Sequence, residues 1–197
     1  MQKGKPMTFI NWNKPFELEL GNEFLQIPTY GNYGGANYSS GKFGEDPPLD
    51  ENGSYLSNKE LDDNKDAADY QFYKHDVDEL LANTPAEDRA ADVKLVRRLD
   101  LSDKQLDDPE AELYAGVATV AFSARLLVNN PRPALAEKLV PYLEDALDNI
   151  EAGLLGLSLK ELNQARSVLE ENVDVLQEID FPGTRVDAII DDLASIV

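Results

Sequence analysis

The sequence contains a single histidine, His75, so any imidazole chemistry must use that ring. Asp76 follows it directly, and a second aspartate, Asp92, stands on the next predicted helix. A histidine with one carboxylate to orient it could act as a general base. A second carboxylate beside it could bind a hard cation such as calcium.

Two helices position these side chains. Asp66 can cap the first helix, which we expect to run to about Ala82. Thr84-Pro85-Ala86-Glu87 combines a capping threonine with an early proline and a glutamate, which predicts a second helix to about Leu99. The short turn between the helices predicts that they are antiparallel neighbours.

Asp92 falls on the apolar face of the second helix, together with Leu95, Val96 and Leu99. A carboxylate on such a face is costly unless it is paired. We expect a hydrogen bond between Asp92 and one ring nitrogen of His75, which leaves the other nitrogen as a base. The alternative interpretation is a structural pair with no catalytic role.

A loop rich in glycine and tyrosine, Tyr30–Tyr38, precedes the two helices. Its glycines at positions 31, 34 and 35 permit backbone conformations that turn carbonyl groups inward. Calcium prefers six to eight oxygen ligands, often carboxylates and carbonyls. A glycine-rich loop alone is also typical of an ordinary turn.

Composition narrows the class of function. The net charge is −20, with 38 acidic against 18 basic residues, which disfavours nucleic acid as a partner. This charge indicates solubility, or a setting where calcium is abundant. The absence of cysteine excludes disulfides and thiolate sites. We expect a soluble chain, because no apolar run approaches the ~20 residues that span a bilayer and the start does not resemble a signal peptide.

We expect an all-α fold with a loop-rich front end. The pattern of residues 1–29 fits either strands or short helices, and the glycines and prolines of residues 30–65 predict a loop. Further helices are predicted after these start signals: Asp108-Pro109 to about Asn129 with a buried middle, Asn130-Pro131 to near Gly153, Ser158 to about Glu178, and Thr184 onward. We expect one domain over 1–130, with the helix pair at 66–99, and a helical extension over 131–197 that packs on it.

The ordered motifs resemble the calcium-dependent secreted phospholipase A2 superfamily, in a cysteine-free, bacterial or viral-like form. The segment Tyr30–Asn37 resembles the calcium loop Y-G-x-Y-x-G-x-G of that family. Asp69 followed by His75-Asp76 resembles its D-x-x-x-x-x-H-D helix, and Ala91-Asp92 resembles the A-D of its shorter members. The resemblance covers about residues 30–95.

The resemblance implies that the carbonyls of Tyr33, Gly35 and Asn37, with the carboxylate of Asp76, bind Ca²⁺. It implies that His75 deprotonates a water that attacks the sn-2 ester of a glycerophospholipid. Asp92 would then hold the imidazole. The Gly35 N–H and calcium would stabilise the oxyanion. The implied partner is a phospholipid membrane surface or micelle. The implied setting is secreted or extracellular, either as a separate protein or as a domain of a larger bacterial protein.

The chain departs from the family pattern at three places. Asn37 replaces the last loop glycine, Glu79 replaces a tyrosine, and residues 39–65 form a longer insertion. In the family, a tyrosine makes a hydrogen bond to the buried aspartate. Here that bond is either missing or made by another tyrosine, for which the candidates are Tyr70, Tyr73 and Tyr114.

Two alternatives to the enzyme stay open. A catalytically silent relative could act as a calcium-dependent binding or toxin-accessory module, or the pattern could be a coincidence in an acidic helical protein. Four apolar residues near the N-terminus either line an acyl entrance or belong to the core: Phe16, Leu18, Phe24 and Leu25. The oligomeric state is open.

Overall fold

The computed structural model describes residues 9–35, 38–61, 65–102, 106 and 108–197. Four strands precede six helices in these ranges: β1 Ile10–Leu20, β2 Glu23–Tyr30, β3 Tyr38–Ser39, β4 Lys42–Phe43, α1 Ala67–Leu81, α2 Pro85–Ser102, α3 Pro109–Asn129, α4 Pro133–Gly156, α5 Leu159–Gln177 and α6 Thr184–Ile196. The fold is mixed α and β, so the all-α prediction is wrong.

The first two strands form an antiparallel hairpin, in which Leu18 faces Leu25 and Leu20 faces Glu23. Alternate residues of β1 are buried at Phe16, Leu18 and Leu20, while the glutamates between them are exposed. This period of two fits a strand with one face on the core. Gly21, at φ +68°, forms the turn.

The predicted helix starts are largely confirmed. The side chain of Asp66 accepts the Asp69 N–H, Asp108 accepts the Glu110 N–H, and Ser158 and Glu161 form a reciprocal capping box. Two details are wrong. Helix α4 begins at Pro133 rather than at Asn130-Pro131, and Gly183, not Thr184, occupies the N-cap of α6 without a side-chain cap.

Helix α3 forms the centre of the core and packs against α2, α4 and the hairpin. Within the described ranges it is the one helix long and apolar enough to cross a membrane, by length and composition alone. Of that apolar window, 83% is buried inside the fold. The expectation that no apolar run approaches this length is therefore wrong.

The C-terminal helices pack on the rest of the chain. Helix α4 lies along α3, α6 packs on α4 and α5, and α5 contacts β2. The side chain of Asn172 on α5 accepts the backbone N–H of Gln26 at 2.8 Å and donates to its carbonyl at 2.9 Å. This pair of bonds joins α5 to the backbone of β2.

The long insertion is fastened to α1 by tyrosines. The Tyr73 hydroxyl donates to the Pro48 carbonyl at 2.8 Å and accepts the Leu56 N–H at 2.7 Å. The Tyr70 hydroxyl donates to the Leu56 carbonyl at 2.9 Å. The prediction of loop throughout 30–65 is wrong in part, because this range includes the end of β2 and the short strands β3 and β4.

Candidate active site

His75 on α1 and Asp92 on α2 form a buried pair. Nε2 of His75 lies 3.1 Å from Oδ1 of Asp92, and the two residues are 4% and 1% exposed. The hydrogen bond expected from the sequence is present. Nδ1 has no hydrogen-bond partner in the described part of the chain, which leaves that nitrogen able to accept a proton. The ring of Phe122 packs against the imidazole edge to face, with centroids 5.0 Å apart.

Arg125 on α3 joins this pair. Its Nη1 lies 3.4 Å from Oδ1 of Asp92, the same oxygen that faces His75, and 3.5 Å from Oε1 of Glu79. Its Nη2 lies 3.4 Å from Oδ2 of Asp88. One guanidinium therefore pairs with three carboxylates around the imidazole.

No tyrosine holds Asp92 among the described residues. The Tyr114 hydroxyl donates instead to the Pro28 carbonyl at 2.8 Å, while Tyr70 and Tyr73 bind the insertion. Of the two alternatives, the missing tyrosine is therefore the one that the described residues fit. Arg125 contacts Asp92 instead.

Three ligand-type side chains meet here. His75, Glu79 and Asp92 bring one potential metal-binding atom each to within 4.8 Å of one another. The guanidinium of Arg125 already contacts both carboxylates of this group. Since a metal ion would have to compete with that positive charge, the group is better suited to a hydrogen-bonded network than to a metal centre.

Asp69 binds the glycine-rich loop to α1. Its carboxylate accepts the backbone N–H groups of Asn32, Tyr33 and Lys65 at 2.9–3.1 Å. Burial raises the pKa of Asp69 to about 7, although these three hydrogen bonds act in the opposite direction. Gly31 approaches so closely that an added Cβ would lie 2.4 Å from this carboxylate.

Asp76 points toward the same loop region. Its Oδ2 accepts a hydrogen bond from the Ser39 hydroxyl at 2.7 Å. No lysine or arginine within the described residues pairs with it, and burial raises its pKa well above the ordinary value despite the Ser39 bond. A half-buried carboxylate without a cationic partner is less favourable in its charged form than one in water. A cation bound beside Asp76 would relieve that cost.

Gly35 occupies a crowded position in the loop. An added Cβ would lie 2.9 Å from Cγ2 of Thr29 and 3.0 Å from Cβ of Tyr38, so only glycine fits without rearrangement. Its carbonyl accepts the Tyr38 N–H at 3.1 Å. Its own N–H has no hydrogen-bond partner in the part of the chain that the structure describes, so it can donate to a bound ligand.

One cavity connects these groups. Its empty volume is about 380 Å³ including the part open to solvent, of which about 20 Å³ is available to the centre of a water molecule. That is room for about one water. The polar lining includes His75, Asp76, Tyr33 and Gly35, and the apolar lining is formed by Phe16, Leu18, Ile27, Phe72, Tyr114, Ala118 and Phe122.

The structure therefore brings Tyr33, Gly35, His75 and Asp76 to one cavity, with Asp92 directly behind the imidazole. Asn37, the remaining predicted calcium ligand, lies outside the described residues. Phe16 and Leu18 are both buried and line the cavity, whereas Leu25 lies in the core and Phe24 is exposed.

Sequence reasoning missed Arg125 and Ser39. Arg125 is the single basic residue in α3, an otherwise apolar and buried helix, and such a charge requires nearby carboxylates. This signal could have identified Arg125 as the partner of a buried carboxylate, without showing which one. Ser39 carries no comparable signal, because only the folded insertion brings it to Asp76.

No protein-family model, curated protein sequence or solved structure matches this chain.

Proposed function

We propose that this protein is a calcium-dependent phospholipase A2-like enzyme that hydrolyses the sn-2 ester of glycerophospholipids, with His75 as the general base. The observation that carries the proposal is the shared cavity. His75 of the His75–Asp92 pair lines it with Asp76 and with Tyr33 and Gly35 of the glycine-rich loop. Apolar residues suited to a lipid complete the lining.

The proton transfers follow from the geometry of the pair. Asp92 accepts the Nε2–H and so fixes the tautomer in which Nδ1 is basic. Nδ1 takes a proton from a water in the cavity as the water oxygen attacks the sn-2 carbonyl carbon. The ester C–O bond then breaks, and His75 returns the proton to the glycerol oxygen. The products are a fatty acid and a lysophospholipid.

The donors around Asp76 fit a hard cation. Asp76, Tyr33 and Gly35 line one cavity, and a carboxylate with backbone carbonyls is the type of donor set that calcium prefers. Calcium, when bound there, would supply positive charge to the ester carbonyl oxygen. The N–H of Gly35, which has no partner among the described residues, can donate to the same oxygen, and this adds a fixed dipole where negative charge develops.

The direct test is fatty-acid release from mixed phospholipid vesicles labelled at the sn-2 or the sn-1 chain, in calcium and in chelator. We expect sn-2 release in calcium only. His75→Ala and Asp76→Asn should each abolish it, while Asp148→Asn, an exposed aspartate of α4, should leave it unchanged. Retained release in either site variant would overturn this mechanism.

A second candidate is a silent calcium-dependent binding module. It is favoured by one observation, the small free space of the cavity, which holds a water but no acyl chain unless its lining moves. This candidate predicts calcium binding that Asp76→Asn removes, with no fatty-acid release from any vesicle. The same assay therefore separates the two candidates.

A further inference from the structure

We propose that Arg125 is a positioning residue, which keeps Nε2 of His75 paired with Asp92 by holding a competing carboxylate, Glu79, away from the ring. Its effect on catalysis depends on the proposed function. Its effect on the imidazole does not, and can be measured separately.

Two carboxylates can accept the single Nε2–H. Oδ1 of Asp92 lies 3.1 Å from Nε2, within hydrogen-bond distance, whereas Oε1 of Glu79 lies 3.7 Å away, beyond it. Glu79 stands one helical turn after His75 and its side chain is 29% exposed, compared with 2% for Asp92. Glu79 is therefore the more mobile competitor.

Arg125 contacts both of these carboxylates. Its Nη1 lies 3.5 Å from Oε1 of Glu79 and 3.4 Å from Oδ1 of Asp92. The attraction to Glu79 holds that carboxylate at its present distance from the ring. The attraction to Asp92 holds Oδ1 in line with Nε2. Without the guanidinium, neither carboxylate would be held in place, so the Nε2–H could turn from Asp92 toward Glu79.

Arg125 is itself held on two sides. Nη2 lies 3.4 Å from Oδ2 of Asp88, and the guanidinium carbon lies 5.9 Å above the ring centre of Phe122, which also packs on His75. A planar guanidinium presents donors in several fixed directions, whereas a lysine ammonium acts as one compact charge. Arginine is therefore the residue that can serve Asp88 and the other two carboxylates together.

Histidine-selective ¹⁵N NMR of the untagged chain tests this directly, because His75 gives the only imidazole signals. We expect a single neutral tautomer with the proton on Nε2. Arg125→Met should produce more than one set of imidazole signals, because the Nε2–H can then pair with either Asp92 or Glu79. In the vesicle assay it should lower kcat about 100-fold with little change in KM, since misplaced catalytic groups have effects of this size.

A second substitution separates positioning from a general loss of structure. Adding Glu79→Gln to Arg125→Met removes the competing charge, so it should restore the single set of imidazole signals and most of the lost kcat. Arg125→Lys should fall between wild type and Arg125→Met. The matched control is Arg97→Met, at an exposed position of α2, which should change neither measurement.

The outcomes for the inference and for the proposed function can be told apart. A single set of imidazole signals identical to wild type in Arg125→Met overturns the inference, as does a double variant no better than the single one. If Arg125→Met fails to fold, the lysine variant carries the same test, and an imidazole signal identical to wild type overturns the inference. A wild-type protein that releases no fatty acid in calcium overturns the proposed function alone, because the NMR comparison still stands.

Discussion

Ser39 donates a hydrogen bond of 2.7 Å from its hydroxyl to Oδ2 of Asp76. The bond joins the start of the long insertion to the carboxylate that we propose as a calcium ligand. The insertion is therefore part of the site, and Ser39, which is 2% exposed, lies behind that ligand rather than at the surface.

We expect Ser39→Ala to weaken calcium binding by about 10–100-fold, the usual effect of removing a residue that orients a metal ligand. The reason is that Asp76 loses its one described hydrogen-bond donor and can rotate away from the loop carbonyls. Calorimetric titration with calcium measures the change. The matched control is Ser54→Ala, at an exposed position of the insertion, and equal affinities in the two variants would contradict the prediction.

We expect Gly31→Ala to separate the glycine-rich loop from α1. Gly31 has φ +54°, and an added Cβ would lie 2.4 Å from the Asp69 carboxylate that binds the loop N–H groups. Gly53→Ala is the control, because Gly53 has φ +74° with open space around it. The control should lose about 1–2 kcal/mol of unfolding free energy from backbone strain alone.

Urea unfolding and calcium titration would distinguish these two glycine variants. Gly31→Ala should lose more stability than Gly53→Ala and should also lose calcium affinity. If both variants lost the same stability and kept the same calcium affinity, the hydrogen bonds between Asp69 and the loop would have no role in forming the site.

We expect Leu18→Ala to widen the entrance to the site. Leu18 lines the cavity around His75 and also the adjoining cleft that contains Glu17, Glu79 and Arg125. Leu20→Ala is the control, because Leu20 is equally buried on the same strand and lines neither space. Each variant should lose about 2–5 kcal/mol of unfolding free energy.

The two leucine variants should differ in their substrates. Leu18→Ala should increase kcat/KM for phospholipids with a bulkier sn-2 chain relative to a short one, whereas Leu20→Ala should keep the wild-type ratio. Ratios that match in both variants would place the acyl chain elsewhere.

We expect Asp78→Asn to weaken the attachment of the insertion to α1 and α2 without altering the His75–Asp92 pair. Asp78 accepts hydrogen bonds from Tyr55 at 2.6 Å, Lys94 at 2.6 Å and Arg98 at 2.8 Å. Burial acts to raise the pKa of Asp78, but these partners outweigh it and hold the pKa below its ordinary value. Losing the charge should cost about 1–3 kcal/mol of unfolding free energy, measured in urea against Asp148→Asn. A loss no larger than in that control would contradict the prediction.

Local signals predicted the helices because their causes are local. Asp66 and Ser158 each accept a backbone N–H of the first helical turn, and Pro109 has no N–H that would need a partner there. The residues next to a helix start are therefore enough to predict it. The His75–Asp92 contact was also predictable, since two helices joined by a short turn must lie side by side.

Except for the hairpin, the other features depend on partners that are distant in sequence. The hairpin was readable from the alternation at Phe16, Leu18 and Leu20 and from the glycine turn that follows. Arg125 was not assignable to Asp92, because α3 reaches α2 only through the packing of the whole core. The Ser39–Asp76 bond likewise depends on how the insertion folds back.

The bonds from Asn172 to the backbone of Gln26 have a further consequence. They occupy an N–H and a C=O on the side of β2 that faces away from β1, where the hairpin would otherwise present an open edge. Open edges of this kind recruit strands from other molecules. A fragment that ends at residue 130 would keep every residue of the proposed site and yet expose this edge. We therefore expect this fragment to self-associate. In the full chain, we expect the helices after residue 130 to protect against aggregation.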